Sequence, residues 1–214
     1  MPHLLLQHVG LSAAALGIAC LIGVPLGVYL GHTGRGGVLA VQVSNAGRAV
    51  PTLALLGILL LVPHLGRSTL SALIAFTAFG LPPVLTNTYV GVREVDPGAV
   101  DAARGMGMTG PQVLRRVELP LATPLLMNGV RQAAVQIVAT VSIAAIFAFG
   151  GLGRIITRAT GSNGGIDLSE ALCGTILIAA LALVVEYGLA WLARRSDPVA
   201  RATRRRDRGP VTTS

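Results

Sequence analysis

The chain has 214 residues, 52% of them hydrophobic and only 12% charged, with a mean hydropathy of +0.70. Soluble domains carry about one-quarter charged residues, so this composition excludes an ordinary soluble domain and points to a membrane protein. The net charge of +8 does not describe a nucleic-acid surface, because seven of the seventeen basic residues fall in 194–208, beyond the last apolar run. Beside a membrane span, such a cluster reads as an anchor on anionic lipid.

All seventeen basic residues are arginine. Cys20 and Cys173 lie inside apolar runs with no CxxC partner, so small-residue packing is expected of them rather than a disulfide or zinc framework. His3, His8, His32 and His64 have no ligand spacing, and no metal site is expected.

Five runs reach the roughly 20 apolar residues that a helix needs to cross hydrocarbon: 4–30, 38–62, 69–92, 124–149 and 169–193. They are continuous rather than alternating, which predicts an all-α membrane protein with five transmembrane helices, six at most, and no barrel. The transmembrane unit is expected to be 1–193, and 194–214 is a basic tail expected to be disordered. No Lys or Arg precedes Arg35, so the first run lacks the positive region of a signal peptide and is read as an uncleaved helix. Arg35, Arg93, Arg104, Arg115, Arg116 and the tail fall on one side, and Arg67, Arg154 and Arg158 on the other. The positive-inside rule then places the N-terminus outside and the C-terminus in the cytoplasm of a plasma-membrane protein.

In the first run, Gly23, Gly27 and Gly31 recur every four residues, a spacing that lets a second helix approach closely. The second run holds Asn45 and Arg48 several residues in. A charge at that depth either snorkels to the interface or lines a cavity, and the sequence leaves both readings open. Pro82 and Pro83 in the third run free backbone carbonyls for which Thr86 or Asn87 are candidate donors. In the fourth, Asn128, Gln132, Gln136 and Thr140 form one drifting stripe beside Arg131. Amides cannot face lipid unsatisfied, so the stripe is either polar glue between helices or the lining of a translocation pathway. The fifth run carries Glu186 near its end, where pairing with an arginine at the inner surface is expected.

Between the third and fourth runs, 93–120 forms a polar island. Asp96-Pro97 is a helix start, Gly105 and Gly107 offer an end, and Thr109 with Gln112 makes a second start of capping-box type. Two short helices at a sharp angle are expected, the second near 110–117 with Arg115 and Arg116 at its negative end and Leu119-Pro120 stopping it. The smooth Ala102-Ala103 surface suits insertion into a groove of another protein.

This island resembles the cytoplasmic "EAA" loop of binding-protein-dependent ABC importer permeases. Their pattern is E-A-A, three residues, Gly, nine residues, then I-x-L-P; here it is Asp101-Ala102-Ala103, three residues, Gly107, nine residues, then Val117-Glu118-Leu119-Pro120. "VPTLALLG", "LPPVLTNTYVGV", "VDPGAVDAARGMGMT", "VELPLATP" and "GGLG" are similar to the osmoprotectant branch, and where those relatives carry an uncharged polar residue this chain has Arg48.

The resemblance implies a permease subunit of an ATP-driven importer for osmoprotectants such as glycine betaine, choline, carnitine or proline betaine. Asp101, Ala102, Ala103 and Gly107 would touch a cytoplasmic ATPase dimer, with Leu119 and Pro120 setting the exit angle; Asn45, Arg48, Asn128, Gln132, Gln136 and Thr140 are the candidate path. With no lysine for a P-loop, ATP and Mg would bind the partner ATPase and no cofactor this chain, which is not expected to be an enzyme. A second permease, identical or homologous, and an extracytoplasmic substrate-binding protein complete the expected assembly, in contact with membrane lipid and without nucleic acid. The alternatives are a permease for another small solute, such as an amino acid, or a stand-alone secondary transporter, which would call for an inverted repeat and buried acids.

Overall fold

The computed structural model describes residues 2–35, 37, 42, 51–66, 68–147, 149–159 and 166–196. Among these there are helices and no strands. Helix α1 is Pro2–Thr33, α2 Thr52–Leu61, α3 Thr69–Arg93, α4 Pro97–Gly105, α5 Gly110–Val113, α6 Leu119–Ile143, α7 Gly153–Ala159 and α8 Leu168–Ser196. Among the described residues, four helical stretches are long and apolar enough to cross a membrane: 2–33, 69–93, 110–147 and 168–195. They match the first, third, fourth and fifth predicted runs. Of the second, residues 42 and 51–62, which include α2, lie within the described residues; Asn45 and Arg48 lie outside them, as does 197–214 of the basic tail. Arg194 and Arg195, assigned to that tail, belong to α8, where Arg195 lies 3.8 Å above the Trp191 ring.

The glycine ladder on α1 packs against α3. A methyl group added to Gly27 would stand 2.8 Å from Thr88 Cβ and 2.9 Å from the Leu85 carbonyl oxygen. One added to Gly31 would stand 2.8 Å from Val92 Cβ and 2.9 Å from the Tyr89 carbonyl. The missing Cβ atoms are therefore what allow the two backbones to touch, as the spacing predicted. The α3–α6 seam uses the same device at Gly129, which lies against Asn87 Cβ and the Pro83 carbonyl. Ala15, Leu56, Ala72, Phe76, Ile137 and Val141 join α1, α2, α3 and α6 in one apolar core. α8 packs on α6 and α7, but only 6% of its apolar window is buried, so most of its surface has no partner among the described residues.

The largest departure from expectation is at Leu119-Pro120, which does not stop a helix. The chain runs from α5 through a π-helical turn, Leu114–Glu118, directly into α6, and then through a 3₁₀ turn, Ala144–Phe147. The fourth span thus begins well before Pro124, and Arg115 and Arg116 lie within its π turn rather than at a helix end. The reason is local: Pro120 has no N–H to give, and in a regular α-helix its ring would collide with the carbonyl four residues back. The wider π turn ends on the Leu119 N–H to Leu114 carbonyl bond, immediately before the proline, and carries the helix past it.

Pro82 and Pro83 likewise leave α3 unbroken. Asn87 Nδ2 donates to the carbonyl of Pro83 at 2.8 Å, not to the carbonyls that the prolines leave free one turn earlier.

Candidate functional site

The loop between α3 and α6 is built by its capping chemistry. Asp96 Oδ1 accepts from the Gly98 N–H at 3.0 Å, and Pro97 occupies the first helical position, where an absent N–H removes nothing. α4 ends in a Schellman motif: Gly107 N–H donates to the Arg104 carbonyl (2.9 Å) and Met108 N–H to the Ala103 carbonyl (3.2 Å), with Gly107 at φ +80°. α5 starts directly afterwards, and Gln112 Oε1 reaches back to accept from the Thr109 N–H at 2.8 Å.

Asp101, Ala102 and Gly107 are exposed, whereas Ala103 is buried, at 1% exposure, and faces its own chain. The four therefore do not form one outward surface. The sequence reading passed over Met106, which stands 72% exposed at the turn, an apolar and adaptable side chain beside the open glycine. Leu119 and Pro120 are half-buried in the helix that leaves the loop.

Because that helix is continuous, the loop and the interior of the bundle share one rod. Twelve residues separate Leu119 from Arg131, about 18 Å at 1.5 Å per residue. A second tie joins this rod to α1: His32 Nδ1 lies 2.6 Å from Glu118 Oε2, in the π turn. Neither residue stood out in the sequence, because 86 positions separate them.

Partway along the rod, a groove of 640 Å³ opens between α3, α6 and α8. Asn128, Gln132 and Gln136 line it, so three members of the predicted stripe share one cavity with Arg131, Glu186, Phe79 and Pro82. Thr140, the fourth, does not join them: it is buried, donates to the Gln136 carbonyl at 2.8 Å and faces a small apolar gap beside Leu53 and Leu56. The stripe drifts around the helix, and by its fourth step it has turned into the core. Arg131 Nε lies 3.0 Å from Glu186 Oε1, and its Nη2 donates to Asn128 Oδ1 at 3.1 Å. Asn128 Nδ2 donates to Asn87 Oδ1 at 3.3 Å. Glu186 thus pairs with an arginine, as expected, and that arginine belongs to a neighbouring span and lines the same groove. It stands ten residues before Ser196, about 15 Å from the end of α8.

At the opposite end of the bundle, His8 is fully buried. The Leu152 N–H donates to its Nδ1 at 3.2 Å, so its Nε2–H donates to the Val138 carbonyl at 3.0 Å. Both nitrogens are engaged in the neutral form, and the ring pins α1 to α6 and to the glycine turn before α7. Gly150 (φ +89°) and Gly151 (φ +79°) make that turn possible, and Gly151 lies against the His8 ring. Apolar periodicity gave no sign of His8, since a lone histidine in a span is silent until its partners are placed.

Residues 23–198 match the family "Binding-protein-dependent transport system inner membrane component". The chain belongs to that family. The permease is 36% identical over 193 residues to the carnitine transport permease protein OpuCD of Listeria monocytogenes, covering 90% of this chain and 85% of the relative. It is 35% identical over 193 residues to the choline transport system permease protein OpuBD of Bacillus subtilis, covering 90% and 84%. It is 36% identical over 206 residues to the osmoprotectant import permease protein OsmW of Salmonella typhimurium, covering 93% and 91%. In fold it is similar to the inward-facing MetNI methionine ABC transporter, with a TM-score of 0.76 at 23% identity over 89% of this chain and 93% of that one. The permease is thus a multi-pass membrane component of an ABC importer, served by a substrate-binding protein and by an ATPase that carries out the hydrolysis.

Proposed function

We propose that this permease forms the translocation path of an ATP-driven importer of osmoprotectants such as glycine betaine, choline or carnitine, and that its α4–α5 loop is the handle moved by the ATPase. The observation that carries this reading is the single helical rod from Gly110 to Phe147. One end carries the exposed, glycine-capped loop, and its middle carries Asn128, Gln132 and Gln136 on the wall of the groove. A push on the loop moves the cavity wall without passing through a flexible joint, and the His32–Glu118 contact draws α1 into the same motion. The substrate class comes from the names of the relatives, which match nine-tenths of the chain.

In this reading the N-terminus is outside, and the loop and C-terminus are cytoplasmic. The ATPase dimer, which binds ATP and Mg, meets Asp101, Ala102, Met106 and Gly107, while Ala103 keeps the handle packed. Leu119 and Pro120 mark the place where the handle joins the rod. The groove is open on one side, so a second permease, identical or homologous, closes the path. An extracytoplasmic binding protein delivers the solute.

The test is reconstitution in liposomes with the ATPase and binding protein, reading solute-stimulated ATP hydrolysis and uptake. Both should require all components, and Met106→Cys should crosslink to the ATPase. Uptake by this chain alone, driven by an ion gradient, would establish a secondary transporter instead.

A further inference from the structure

We propose that Arg131 and Glu186 form an exchangeable charge pair that passes net-neutral zwitterions more readily than cations such as choline, a specificity device that rests on the osmolyte-importer reading above. The two are joined by a single contact of 3.0 Å from Nε, not by a two-pronged fork. The other engaged arm of the guanidinium, Nη2, goes to Asn128. Both side chains are 35% exposed, and both line the groove. A pair built only to hold helices together would be enclosed by packing; this one keeps N–H donors and carboxylate lone pairs turned toward open space.

Arg131 lies within the 110–147 span and Glu186 within the 168–195 span, and a charge left unpaired on a membrane-spanning helix costs a few kcal/mol or more. Any solute that separates the pair must therefore replace both charges. A carboxylate fits the planar guanidinium fork. A quaternary ammonium has no N–H to donate and is held by charge and by aromatic faces, which Glu186 and Phe79 offer on the same wall. A molecule carrying both groups slips between Arg131 and Glu186 and leaves neither unpaired. A cation can take Glu186, but it then strands Arg131 beside it. The 640 Å³ groove lies within the range of about 300–1,000 Å³ typical of small-ligand sites.

The test uses this chain reconstituted with its ATPase and binding-protein subunits, with uptake of glycine betaine (zwitterion) and choline (cation) measured at concentrations that saturate the binding protein. Arg131→Gln should shift the betaine-to-choline uptake ratio toward choline by about tenfold, and Glu186→Gln should shift it away from choline. Should either variant fail to accumulate in the membrane, Arg131→Lys supplies the reading. It keeps the charge but loses the fork, and betaine uptake should fall at least about threefold while choline uptake holds. A ratio within about twofold of wild type in the variants that accumulate would make the pair purely structural and overturn the proposal. Wild-type protein that carries neither solute would instead overturn the importer reading on which the proposal rests.

Discussion

The close approach of α1 and α3 predicts opposite effects for one and the same substitution at neighbouring positions. Gly10→Ala and Gly17→Ala add a methyl group where nothing lies within 4 Å. Each should stabilise the helix by about 0.5–1 kcal/mol through reduced backbone entropy. Gly27→Ala gains the same term, but its methyl group meets Thr88 Cβ at 2.8 Å and the Leu85 carbonyl at 2.9 Å. Neither atom can move by a rotamer change, so α3 itself must shift, and overpacking of this kind costs about 1–3 kcal/mol. The net expectation is a loss of roughly 1–2 kcal/mol. Gly31→Ala meets Val92 and the Tyr89 carbonyl in the same way. The double variant should lose less than the sum, because parting the helices at one glycine relieves the other one turn away. The measurement is the unfolding midpoint in detergent across all five variants. If Gly27→Ala and Gly17→Ala moved the midpoint in the same direction, the seam would not be set by backbone contact and the argument would fail.

Other outcomes follow from the loop, from His8 and from the start of α8. Gly107 sits at φ +80°, a region that costs a β-branched residue about 1–2 kcal/mol or more, so Gly107→Val should abolish uptake at normal membrane level while Gly107→Asn largely retains it. His8→Phe fills the space but strands the Leu152 N–H and the Val138 carbonyl; a loss of about 1–3 kcal/mol is expected in the detergent melt, and an unchanged midpoint would show that the two hydrogen bonds contribute nothing. The hydroxyl of Ser169, followed by the N–H groups of Glu170 and Ser169, holds the Asp167 carboxyl below its ordinary value near 3.8. Its folded pKa is depressed, so its capping contribution is present above that value and lost as the pH falls through the lowered one. Amide exchange in the first turn of α8 should therefore quicken only in acid, and Asp167→Ala should remove the dependence.

Length and hydropathy were enough to place three of the long helices, and the far end of the fourth, to within a few residues, because a span of hydrocarbon demands an unbroken apolar run and little else satisfies it. The glycine spacing of α1 and the capping residues of the loop were also legible, since both act over one or two turns. Asp96, Gly107 and Gln112 do what their local chemistry dictates. What the sequence misplaced was decided at longer range. Leu119-Pro120 reads locally as a stop, but a π turn lets the helix continue, and that continuity is what joins the loop to the cavity. Ala103 matched an outward-facing pattern, yet α4 turns it inward. Thr140 shared a stripe with three groove residues, but the drift of the helix took it into the core. The contacts His8–Val138, His32–Glu118 and Arg131–Glu186 cross 130, 86 and 55 positions of chain. Polar residues in separate spans carry no local mark of which partner they will meet, and only the packing of the bundle chooses it.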